Sequence, residues 1–179
     1  MSNLRLAASP SVWSNDLVQR MGGYFTLDKC LSDVAATGLT AIEEGHKMPT
    51  NVSELKRTLD YFGLSLACGR VKGSLAQTGI EQEFSELMPK LQVLKMMKSP
   101  YLIYQEDTVQ VYSNAAKPLA SRPKMSAYEL GYFARKLEEL SKRTQDMGIQ
   151  LVYRAHLGTL VQNADEIDVV MGKTETLKL

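Results

Sequence analysis

The chain has 179 residues, 44% of them hydrophobic and 23% charged, the composition of an ordinary globular domain large enough for a real core. A net charge of +1 gives no bias toward nucleic acid or an anionic membrane surface. The apolar runs are a few residues long, too short to span a bilayer, and the first ten residues have no long apolar core behind a basic start, so no signal peptide is expected. Cys30 and Cys68 form no CxxC pair and read as two reduced thiols in a cytoplasmic protein.

Leu4 to Ala8 is a short apolar run bounded by Ser9-Pro10, a predicted first strand. Thr26 is placed to cap a helix whose apolar positions 27, 30, 31, 34 and 35 share one face, with Gly38 at its end. Residues 39–42 form the second strand. Asn51 and Glu54 make a capping-box pattern ahead of the stripe Val52, Leu55, Leu59, Phe62, and Gly63 closes that helix. Residues 64–67 form the third strand. Thr78 and Glu81 repeat the capping pattern before a stripe interrupted by Pro89, which predicts a kink or a second helix start. Residues 101–104 form the fourth strand. The polar stretch 105–125 has the length of a lid or binding loop. Ser126 and Glu129 open the longest helix, closed by Gly148; 149–153 is the fifth strand; Asn163 and Glu166 cap a last helix through Met171. Residues 173–179 hold no sixth strand of useful length.

This alternation predicts an α/β fold with a parallel sheet and right-handed crossovers, in one domain over 1–179. The strand starts repeat about every 36 residues, so eight units would need roughly 290, and a closed (β/α) barrel is typically about 250. The expectation is therefore about five βα units, the N-terminal portion of a barrel that is truncated at Leu179.

Ligands of such folds bind at the carboxyl ends of the strands. The residues there are Trp13, Ser14, Asn15 and Asp16 after the first; Glu43, Glu44, His46 and Lys47 after the second; Gly69, Arg70 and Lys72 after the third; Gln105, Glu106 and Asp107 after the fourth; Arg154, His156, Gly158 and Thr159 after the fifth. Carboxylates, amines, an amide and an imidazole at one mouth suit a small polyhydroxylated substrate. Each has a plainer reading: Trp13 covering an end of the domain, Glu43, Lys47 and Arg70 solvated, His156 bonded to backbone. No HxH or HxxxH motif marks a metal site.

These segments resemble the inosose dehydratase family, within the xylose-isomerase-like isomerases and epimerases. Trp13-Ser14-Asn15-Asp16 resembles its WSND segment, Ile42 to Pro49 its VELG-x-K-x-P segment, Tyr104-Gln105-Glu106 its Y-x-E, Pro118 to Pro123 its PLxxRP loop, and His156-Leu157-Gly158-Thr159 its HMGT. The matches are colinear over nearly the whole chain. The resemblance implies a xylose-isomerase-like (β/α) barrel, a divalent metal such as manganese or cobalt, and dehydration of a keto-inositol by a metal-dependent hydro-lyase. It implies His156, Glu43 and Lys47 as catalytic residues and Trp13 and Asn15 as substrate contacts beside them, with Glu106 and Arg70 added from their strand ends. Two departures stand out. Tyr153-Arg154-Ala155-His156 keeps one histidine where the family has a run of them, and the family's later DTGH-like and HVHxKD-like segments are not in this sequence, so an intact metal site is not expected if the chain stops at Leu179. The alternatives are a sugar isomerase or epimerase on the same barrel, and a non-catalytic half-barrel that binds a polyol, its own copy or a partner chain.

Overall fold

The computed structural model describes residues 6–16 and 18–179. It is a mixed α/β fold whose four strands lie in the order β1-β2-β3-β4, with α-helices between them: α1 (Leu27–Ala36), β1 (Ala41–Glu43), α2 (Val52–Tyr61), β2 (Ser65–Gly73), α3 (Ile80–Met97), β3 (Tyr101–Glu106), α4 (Ala127–Asp146), β4 (Gln150–Tyr153) and α5 (Ala164–Met171). The chain forms two compact units, one of residues 1–69 and 93–100, the other of 70–92 and 101–179.

In the first unit β1 pairs in parallel with the start of β2, Ala41 opposite Ser65 and Ile42 opposite Leu66; the register then slips, and Glu43 lies opposite Cys68. Of the predicted first strand, Leu4 and Arg5 lie outside the described residues, and among the described ones Ala8 makes a parallel bridge to Ile42. Thr26 caps α1 by accepting the Lys29 N–H, and Leu31 and Val34 are fully buried. Asn51 caps α2 by accepting from Ser53 and Glu54, while the return bond from Glu54 that a full capping box needs is not formed. Gly38 and Gly63 follow their helices with φ of 82° and 67°, a conformation costly for any residue with a Cβ.

In the second unit β3 and β4 pair in parallel without slip, Tyr101 opposite Gln150 through Tyr104 opposite Tyr153. The amphipathic α4 opens on a complete Ser126–Glu129 capping box and packs on β4 and α5, burying Leu130, Phe133, Ala134, Leu137 and Leu140. The last residues run beside β4, with one parallel bridge between Val152 and Lys178. The buried Glu138 of α4 holds them there by accepting the N–H groups of Glu175 and Thr176 at 3.0 and 3.1 Å.

Three expectations are corrected. β2 runs to Gly73, so Gly69, Arg70 and Lys72 belong to the strand itself and not to the loop beyond it. Thr78 does not cap α3: its hydroxyl donates to the Ser74 carbonyl and to the Glu83 carboxylate. Of the two outcomes expected at Pro89, a second helix start is not seen: α3 runs through it, because only one N–H is lost and the carbonyl it would have served, on Ser85, belongs to an exposed residue that water can reach.

The long loop after β3 is anchored. Arg122, 4% exposed, donates to the Leu160 carbonyl at 3.0 Å and forms an ion pair with Glu166 in the first turn of α5. Burial alone would raise the Glu166 carboxyl, but Arg122 and the N–H groups of Gln162 and Asn163 outweigh it and hold it below the usual carboxylate range. A carboxyl depressed in the folded state contributes stability above its unfolded value of about 4.3, lost as pH falls through the lower folded one. Arg122→Met should therefore cost about 3–5 kcal/mol near neutral pH and less on acidification, as read by urea denaturation from pH 7 to 3. An equal cost at both ends would show that the pair contributes packing and not charge.

Candidate active site

In the first unit a small, partly open hollow is walled by Pro10, Trp13, Phe25, Leu27, Cys30 and Met48, and Ser14, His46 and Lys47 also line it. A 3-10 turn at Pro10–Val12 presents Trp13, whose indole N–H donates to Asp33 of α1 at 2.9 Å. Lys29 pairs with the same carboxylate at 2.8 Å, and these two donors lower the Asp33 carboxyl from its ordinary value. Trp13 is thus a fixed wall. Asn15 accepts the Val18 N–H at 2.8 Å and so shapes its own loop.

Lys47 does something the sequence does not announce. Its ammonium donates to three backbone carbonyls, of Gly22 (3.4 Å), Gly23 (2.9 Å) and Phe25, so its protons are engaged in closing the 22–25 loop. Glu43 contrasts with it. It ends β1 half-buried, at the register slip that turns a strand end, and its carboxylate makes no hydrogen bond or ion pair to another described residue.

In the second unit Glu106 is 1% exposed. One oxygen accepts the Ala76 N–H at 3.0 Å; the other accepts the Thr108 N–H at 3.1 Å and the Thr108 hydroxyl. Burial raises its carboxyl above the ordinary value. Behind it Tyr104, fully buried, donates to Glu83 at 2.8 Å and accepts the Leu75 N–H, while Lys136 donates to the carbonyls of Leu75 and Thr78. This is a polar scaffold under the 74–78 loop, and Glu106 is part of it.

The exposed side of that unit carries a different cluster. Tyr112 donates its hydroxyl to Asp107 and accepts from Lys72 at 2.9 Å; Lys72 and Asp107 pair at 3.3 Å, and Gln105 donates to Asp107 at 3.0 Å. Burial pulls the Lys72 amine down, yet Tyr112 and Asp107 outweigh it, so the amine stays charged; burial and the Asp107 bond both raise the Tyr112 phenol, so it keeps its proton. The half-buried His156 stacks edge-on against Tyr112 with ring centroids 4.7 Å apart. Its Nδ1 lies 2.9 Å from the Leu157 carbonyl, which can only accept, so Nδ1 carries the proton and Nε2 the lone pair. Gly158, at φ 79°, makes the turn that follows and gives its carbonyl to the Val111 N–H. His156 and Glu106 are thus set in one unit together with Lys72, Asp107 and Tyr112. Arg70 lies in β2 of that unit, and Trp13, Asn15, Glu43 and Lys47 in the other. Tyr112 is the residue the motif reading missed: it sits mid-loop, with no strand end to mark it.

Among the described residues no group of three or more His, Cys, Asp or Glu side chains is arranged to hold a metal ion, and both oxygens of Glu106 are already engaged. The residues present do not make a metal set. No helix among them is long and apolar enough to cross a membrane.

The Lys47 assignment is testable on its own terms. Lys47→Met should lower stability by about 2 kcal/mol, since three carbonyls lose a charged donor, and should speed amide exchange across residues 22–25. Unchanged exchange there would make Lys47 a surface amine.

No protein-family model matches the chain. It is 31% identical over 174 residues to the rhizopine catabolism protein MocC of Rhizobium meliloti, covering 97% of this chain and 54% of that protein. It is 28% identical over 175 residues to an inosose dehydratase of Bacillus cereus, covering 97% and 59%. The chain thus spans a little over half the length of the curated relatives it matches. Among solved structures, a sugar phosphate isomerase/epimerase from Parabacteroides distasonis superposes with a TM-score of 0.67 at 10% identity, over 99% of this chain and 64% of that one. A xylose isomerase-like TIM barrel protein from Mycobacterium smegmatis, solved in complex with magnesium, does so with 0.65 at 12% identity, over 98% and 63%. In sequence the chain resembles the inosose dehydratases, and in fold it is built as the xylose-isomerase-like (β/α) barrels are.

Proposed function

We propose that this chain carries part of the substrate site of a keto-inositol dehydratase. The observation that carries the reading is the tautomer of His156, which leaves Nε2 as a base on a ring packed against Tyr112, whose hydroxyl is in turn bonded to the charged Lys72. The similarity to proteins named inosose dehydratase supports the substrate class.

The chemistry follows from the groups. A proton on the carbon next to a ketone becomes acidic when the enolate oxygen is stabilised. His156 Nε2 takes that proton; the Lys72 ammonium offsets the negative charge that develops on the ketone oxygen. The β-hydroxyl then leaves as water with a proton from the Tyr112 phenol, and the double bond forms between the two carbons. Asp107 positions both Lys72 and Tyr112 and replenishes no proton itself. The solved relative with magnesium makes a divalent ion a reasonable companion of the full site, but the side chains present here do not hold one, and no step is assigned to it.

Incubation with an inosose in D2O separates the readings. A dehydratase produces an unsaturated ketone; an isomerase or epimerase introduces deuterium next to the ketone and keeps the hydroxyl. His156→Gln should lower whichever rate is seen by about 10²- to 10⁴-fold, and Tyr112→Phe should slow water loss more than deuterium exchange. Absence of both products and of deuterium, with binding intact by calorimetry, would leave a polyol-binding domain in place of an enzyme.

A further inference from the structure

The hollow of the first unit holds a constellation that the dehydratase reading does not use. His46 Nδ1 lies 2.7 Å from Asp16 Oδ1, and the same oxygen accepts the His46 backbone N–H at 3.1 Å. That carboxylate can only accept, so Nδ1 carries the proton and Nε2 the lone pair. Nε2 faces the Ser14 hydroxyl at 3.4 Å, a separation typical of such pairs before a substrate tightens them. Ser14 is 6% exposed and His46 is exposed, and both line the hollow together with Trp13, Phe25 and Met48.

We infer that Ser14, His46 and Asp16 form an acyl-accepting centre, with a small carboxylic ester as its substrate class. The arrangement is recognised by geometry and roles: a hydroxyl, a base within reach, and a carboxylate that fixes the tautomer of the base. Ser14 Oγ attacks the ester carbonyl carbon while its proton passes to His46 Nε2. The tetrahedral adduct collapses, the carbon–oxygen bond to the alcohol breaks, and the His46 proton goes to the departing alkoxide. Water, deprotonated by the same nitrogen, then attacks the acyl-serine and releases the carboxylic acid and the free hydroxyl. No oxidant, reductant or metal enters. The apolar walls suit a short acyl chain. The Ser14 N–H is given to the Pro10 carbonyl at 3.0 Å and is not available to an oxyanion, so the centre should act on activated esters and slowly. Asp16 is a positioning residue, acting through His46.

The test is labelling of the intact chain with p-nitrophenyl acetate and with a fluorophosphonate, read by mass spectrometry of the digested protein. The expected result is one acetyl or phosphonyl group, on Ser14. His46→Ala should slow labelling about 100-fold, with recovery on addition of imidazole; Asp16→Asn should slow it less, and Asp16→Glu should restore part of the rate. The variants' circular dichroism must match the wild type for these rates to count, whereas mapping the label needs no variant. A label spread over lysines, no label on Ser14, or equal rates in His46→Ala would overturn the proposal. None of these outcomes bears on water loss from an inosose, so the two readings fail separately.

Discussion

A buried carboxyl group needs hydrogen-bond partners, and the second unit supplies them in the same way four times. Glu83 accepts from the Ser74 N–H and hydroxyl, Glu106 from Ala76 and Thr108, Glu138 from Glu175 and Thr176, and Glu166 from Gln162, Asn163 and Arg122. In each case a side chain on a regular element holds the backbone of an irregular one. The loops at the strand ends are therefore fixed by carboxyl-to-backbone hydrogen bonds that originate in helices and strands.

Much of the architecture was legible because it depends on local chemistry. Thr26, Asn51, Ser126 and Asn163 all cap the helices their spacing suggests, and Gly38, Gly63 and Gly148 all take the left-handed conformation after them. What was not legible depends on partners far along the chain. The extension of β2 through Gly73 follows from pairing that no local pattern encodes, and Thr78 was drawn away from capping by a carboxylate five residues on. Pro89 shows the limit of a propensity rule: a helix whose other face is buried by Leu87, Leu91 and Leu94 tolerates one missing rung.

The candidate site was legible as a list of residue types at strand ends and not as a division of labour. Lys47 reads as a catalytic group and Glu106 as a substrate contact; in the structure one donates to three loop carbonyls and the other accepts from two amides. Glu43 and His156 differ from these only in that the Glu43 carboxylate bonds no other described residue and that a single ring nitrogen of His156 is given to a carbonyl. Spacing along a chain carries no record of either.

Cys30 gives the hollow of the first unit one more property. Its thiol is pushed up to about 11, by burial first and then by the neighbouring Asp33 carboxylate. At neutral pH the reactive thiolate is then a fraction on the order of 10⁻⁴. A sulfur in the wall of a cavity is usually its most oxidisable atom, open to peroxide, nitrosation or a mixed disulfide. Here that atom keeps its proton, so the Cys30 thiol is a poor nucleophile toward peroxides and disulfides.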